Sequence, residues 1–81
     1  MAQKWNKPVT LALSEDGSFV TIDSAEAASW ALIEDWPVED GTALDRALVI
    51  LAAVAEGKRV TGDPRQAFVE AAIEAGIAIK P

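Results

Sequence analysis

Apolar positions along this chain follow two rhythms, strict alternation near the start and helical spacing after it. From Pro8 to Leu13 the apolar residues Val9, Leu11 and Leu13 alternate with Thr10 and Ala12, and Phe19 to Ile22 form a second short run. Alternation with period two predicts half-buried strands. Asp16-Gly17 between the runs is a strong hairpin signal. Two registers are open. A two-residue turn at Asp16-Gly17 puts Leu13 opposite Val20 and Leu11 opposite Ile22, which makes one continuous apolar face. A three-residue loop at Glu15-Asp16-Gly17 pairs Leu11 with Thr21 and splits the set. Register follows the buried face, which favours the first.

Helical spacing begins after the second strand. A first helix starts at Asp23 or Ser24; with Asp23 as N-cap, Glu26 falls at N3 in a variant of the capping box. Ala27, Ala28, Ala31 and Leu32 form its small-residue face, and it stops near Asp35 because Pro37 disfavours helical geometry at Trp36. Thr42 is the expected cap of a second helix, with Asp45 at N3. Leu44, Ala47, Leu48, Ile50, Leu51 and Val54 cover most of its circumference, which predicts a central, buried helix ending at Gly57. The third helix has Asp63 as N-cap, Pro64 at N1 and Gln66 at N3. Ala67, Phe68, Ala71, Ala72 and Ala75 recur along it, and Gly76 ends it. Leu48, Leu51 and Phe68 are expected deep in the core. Ile77-Ala78-Ile79 alternates and is expected to add a short strand beside the hairpin, which alone would be marginal.

These elements make an α+β fold, a β-hairpin followed by three helices and a short C-terminal strand (ββαααβ). The 81 residues allow one domain, with residues 1–7 expected to be a flexible N-terminal segment. Nothing at the N-terminus resembles the apolar core of a secretory signal. The longest apolar run, Ala47 to Ala55, is far shorter than the roughly 20 residues of a membrane span. The expected setting is cytoplasmic, away from membranes.

Composition narrows the chemistry. The chain has no histidine and no cysteine. It therefore lacks the commonest general base, the strongest nucleophile, disulfides and the usual soft-metal ligands. Net charge is −6, and no basic residue lies between Lys7 and Arg46, where nine acids stand. Such a stretch repels phosphates, so no nucleic-acid partner is expected. It suits a solvated face or a surface that meets a basic partner.

Three groups of residues bear on function. Glu34-Asp35 and Glu39-Asp40 flank Trp36-Pro37-Val38 and are close enough in sequence to offer oxygen ligands to a hard cation, although a solvated helix end explains them better. Lys58, Arg59 and Arg65 bracket the start of the third helix, where free amide groups favour an anion. The competing reading pairs Arg65 with a carboxylate of the acidic half. Among the tryptophans Trp5, Trp30 and Trp36, core-edge placement is expected for Trp36, while Trp30 lies at the border of the small-residue face and is the best contact for a partner.

Several of these residues together resemble one family, the small alphaproteobacterial and rhizobial proteins called domain of unknown function 982. The resemblance is carried by Trp5 with Pro8-Val9, by Ser24-Ala25-Glu26-Ala27-Ala28 and by Trp36-Pro37. It continues through Ala47, Gly57, Arg65-Gln66-Ala67-Phe68, Ala71-Ala72 and Glu74-Ala75-Gly76. Such proteins often carry a cysteine in the second helix, where this chain has aliphatics, so no thiol role is implied. The resemblance implies a fold and a bacterial cytoplasmic setting, and no catalytic residue, cofactor or metal. The leading expectation is a small non-enzymatic protein-interaction module that meets a protein partner, including a second copy of itself. The alternative is a binder of a small anionic ligand at the start of the third helix, and a carboxylate-based enzyme comes third.

Overall fold

A computed structural model describes residues 4–13, 16–59 and 62–80. Strand β1 runs Lys4–Ala12 and strand β2 Phe19–Ser24. Helix α1 spans Ala25–Trp30 and passes without a break into a π-helical turn, Ala31–Asp35. Helices α2, Thr42–Ala55, and α3, Pro64–Glu74, follow, and strand β3 is Ile79–Lys80. The strands form one antiparallel sheet in the order β2-β1-β3, so the expected α+β arrangement ββαααβ is the architecture observed.

The hairpin corrects both expected registers. Leu11 lies opposite Val20 and Val9 opposite Ile22, a shift of two residues from the favoured pairing of Leu11 with Ile22. The reason lies at the strand end. The Leu13 amide donates to the Leu11 carbonyl at 3.1 Å, so the chain leaves the ladder in a tight turn before Asp16-Gly17. Asp16 then accepts from the Ser18 amide at 2.9 Å and Gly17 takes φ +83°, a conformation glycine adopts without penalty. Glu15 of the alternative loop lies outside the described residues. A slip of two preserves side-chain parity. Val9, Leu11 and Ile22 are therefore buried, with Val20 and Leu13 packed beside them, as the apolar pattern requires. The other face carries Thr10 and Thr21, whose hydroxyls share a 3.0 Å hydrogen bond.

β1 begins earlier than the alternation predicts. It takes in residues 4–7, which were expected to be flexible, because Lys4 pairs with Ser24 across an irregularity that ends at Val9. Pro8 sits in that irregularity, where its missing N–H interrupts no regular ladder. Residues 1–3 of the expected segment lie outside the described residues.

Helix ends show what is local and what is not. The N-cap of α1 is Ser24, the last residue of β2, rather than Asp23, because it is the Ser24 hydroxyl that accepts from the Ala27 amide. Asp63 caps α3 through the Arg65 amide with Pro64 behind it, as read from sequence. At the far ends, the Gly57 amide donates to the Val54 carbonyl and the Lys58 amide to Ala53. Gly76 and Ile77 do the same with Ile73 and Ala72. Both are Schellman closures, with Gly57 and Gly76 at positive φ. Since Ile77 is used in that closure, the third strand starts two residues later than expected, at Ile79–Lys80. Thr42 does not cap α2. Gly41, at φ +149°, occupies the N-cap position, and Glu74 of α3 reaches across to accept from the Ala43 and Leu44 amides at 3.0 and 3.2 Å.

The core lies between the sheet and the helices. Phe68 is fully buried, with Trp5 at 5.9 Å and Trp36 at 5.4 Å between ring centroids, both tilted. Alanines Ala28, Ala47, Ala71 and Ala72 are buried around it and let the helices approach closely. α2 is not buried all round. Leu44, Ala47, Ile50 and Leu51 face inward, Leu48 is only half-buried, and Val49 is 70% exposed. The helix packs on α3 and α1 from one side, so apolar residues outnumber the positions its contact face can hide.

Candidate functional site

The outer face of α1 is the first candidate. Ser24 starts the helix, and Ala25, Ala28, Ala31 and Leu32 turn inward because they are the residues small or apolar enough to pack there. Glu26 and Trp30, four residues apart in α1, lie on the opposite side, and Ile33 and Glu34 follow in the π-helical turn. All four are in solvent, Trp30 at 56% and Ile33 at 69% exposure. Sequence reading named Trp30 and missed Ile33. The signal was present, since Ile33 lies three residues after Trp30 and off the Ala28 and Leu32 side. The other exposed large apolars are dispersed differently. Val49 and Ile73 stand on separate helices, and Phe19 lies under the Lys80 ammonium, 4.9 Å from its ring centroid.

An open cleft of about 750 Å³ lies beside the end of this segment, lined by Ala12, Leu13, Asp16, Glu34, Asp35, Trp36 and Pro37. It gathers Glu34 and Asp35 with Asp16, and Glu39 and Asp40 do not line it. Among the described residues no group of three or more carboxylates is arranged to hold a metal ion. The Ser18 amide, and secondly its hydroxyl, hold the Asp16 carboxyl below the usual carboxylate range. A depressed value favours the ionised form, the reverse of what a general acid near neutrality requires. Trp36 gives the cleft no donor either, because its ring turns towards Phe68 and its indole Nε1 is buried with no hydrogen-bond partner among the described residues.

Two of the basic residues near the start of α3, Arg65 and Lys58, are already engaged. Arg65 is partly buried, and its guanidinium Nε donates to the Lys7 carbonyl at 2.6 Å. It makes no carboxylate pair among the described residues, which corrects the expected ion pair. The irregular stretch of β1 leaves the Lys7 carbonyl in need of a donor, and Arg65 supplies one. The Lys58 ammonium meets the Glu56 carboxylate at 2.9 Å, both exposed, while Arg59 is exposed beside it. Arg46 approaches Glu70 at 3.7 Å between α2 and α3.

No described helix is long and apolar enough to cross a membrane. The chain matches no curated protein and no solved structure. A family model does match: the sequence pattern of the proteins of unknown function DUF982 covers residues 7–79, and the series of residues from Pro8 to Gly76 lies within it. The chain belongs to the DUF982 family.

Proposed function

We propose that this protein is a small non-enzymatic module that binds another protein through the outer face of α1. The observation that carries this reading is that two large apolar residues only three positions apart, Trp30 and Ile33, are both exposed. Tryptophan concentrates binding energy at interfaces because it removes a large apolar surface from water while its indole N–H can still find an acceptor. Trp5 and Trp36, by contrast, pack on Phe68 and serve the core. The anion-binding alternative is weakened by the engagement of Arg65 with the Lys7 carbonyl and of Lys58 with Glu56. On this reading the protein works in the bacterial cytoplasm. A photo-reactive amino acid at position 30, introduced in cells, tests the proposal, with the same group at exposed Ala55 as control. The expected result is one discrete adduct from position 30 and none from position 55. A mass of twice the chain identifies a second copy as the partner. No adduct at position 30 removes the reading.

A further inference from the structure

Resting on that reading, we infer that the partner of the α1 face is a cationic amphipathic protein segment, an aliphatic or aromatic anchor with Lys or Arg on its flanks. The apolar pair is framed by like charge. Glu26 stands four residues before Trp30 and Glu34 four residues after it, both exposed, and Asp35 follows. Each acid is roughly one helical turn from the indole along the axis. Among the described residues neither Glu26 nor Glu34 makes an ion pair; the ion pairs described lie elsewhere, Arg46 with Glu70 and Lys58 with Glu56. This is a property of the chain as well as of the site, because no basic residue occurs between Lys7 and Arg46.

Charge decides between occupants. A second copy docked face to face about a two-fold axis would set Glu26 and Glu34 against the same residues of its partner. With −6 on each molecule, both local and global terms oppose that pairing. An anionic lipid surface, a nucleic acid or an acidic peptide meets the same repulsion. A cationic segment reverses every sign. Its anchor covers Ile33 and the edge of Trp30, its flanking cations reach Glu26 and Glu34, and an arginine or lysine over the indole face adds a cation–π contact. The acids then steer encounter and exclude wrong partners, and the apolar pair holds the complex.

The test uses the full chain and three synthetic probes: an amphipathic peptide of leucine and lysine, its counterpart with glutamate for lysine, and a lysine-only peptide. Binding is followed by amide and indole NMR. The leucine–lysine peptide is expected to give saturable shifts centred on residues 26–34 and on the Trp30 indole. Its affinity should weaken as salt rises from about 0.05 to about 0.5 M, because the screening length contracts over that range. Glu26→Gln with Glu34→Gln should weaken it about tenfold, from the loss of two ion pairs in a partly desolvated contact. Trp30→Ala should abolish it, and the lysine-only peptide should bind weakly. These positions are exposed, so the variants keep the fold. Equal binding of the glutamate peptide, or no effect of the double glutamine variant, overturns the cationic partner and leaves the interaction reading standing. Shifts spread over Asp16, Glu39 and Asp40 overturn it as well, since they report charge alone. A dimer in sedimentation that Trp30→Ala dissociates replaces the cationic segment by a second copy. Silence of all three peptides at residues 26–34 overturns the cationic partner, and the adduct at position 30 then decides separately whether an interface exists.

Discussion

Glu74 is the residue whose role depends most on its surroundings. It is the last residue of α3, where its negative charge opposes the dipole of its own helix. Its carboxylate instead accepts the Ala43 and Leu44 amides at the start of α2, where the dipole favours it. Gly41 makes the seat, since a Cβ there would collide with the Glu74 carboxylate and φ +149° is open to glycine. Removing a helix cap costs about 0.5–2 kcal/mol. Glu74→Ala is therefore expected to lower unfolding stability by about that amount in urea denaturation. Glu74→Gln, which keeps one acceptor oxygen and loses the charge, should fall between the two. Equal stability of Glu74→Ala and the parent chain would show that water caps α2 as well as the carboxylate does.

At the scale of the element, α2 shows how an apolar sequence overstates burial. Leu51 is fully buried and Leu48, three residues earlier, is only half-buried. Leu51→Ala should cost about 2–5 kcal/mol, because the emptied volume lies in the closed core and cannot collapse freely. Leu48→Ala should cost clearly less, since its site already meets solvent and leaves no closed cavity. Denaturation midpoints of the two variants compare them directly, and equal losses would place Leu48 as deep as Leu51. A domain of this size has a total stability of roughly 4–12 kcal/mol. The Leu51 variant therefore removes a large share of it.

The whole molecule is an acidic particle whose core sets Phe68 among alanines and branched aliphatics, with Trp5 and Trp36 packed against it. Trp5 from β1 and Trp36 from the end of the π-helical turn meet Phe68 of α3 at the core edge, so three distant segments close on one point. The outer charge follows from the −6 balance and is unevenly placed along the chain. Duplex DNA titrated at physiological salt is expected to give no saturable binding, because the acidic stretch repels phosphates. A specific complex whose affinity falls steeply with salt would contradict this expectation.

Elements that depend on neighbours in the chain were legible from the sequence. Asp63-Pro64 starts α3, Gly57 and Gly76 close α2 and α3, and Trp36-Pro37 ends the first helical segment, since each acts within one turn of backbone. The inward set Val9, Leu11 and Ile22 was legible too, because parity survives a slip of two. Trp30, at the border of the small-residue face, is exposed. What depends on distant partners was decided only in the folded chain. The hairpin register was set by the early turn at Leu13, the cap of α2 by Glu74, and the direction of Arg65 by an unpaired carbonyl in β1. The depth of Leu48 was set by how many helices α2 meets. Local sequence specifies backbone conformation over a few residues, whereas hydrogen-bond partners thirty or more positions away exist only once the core has formed.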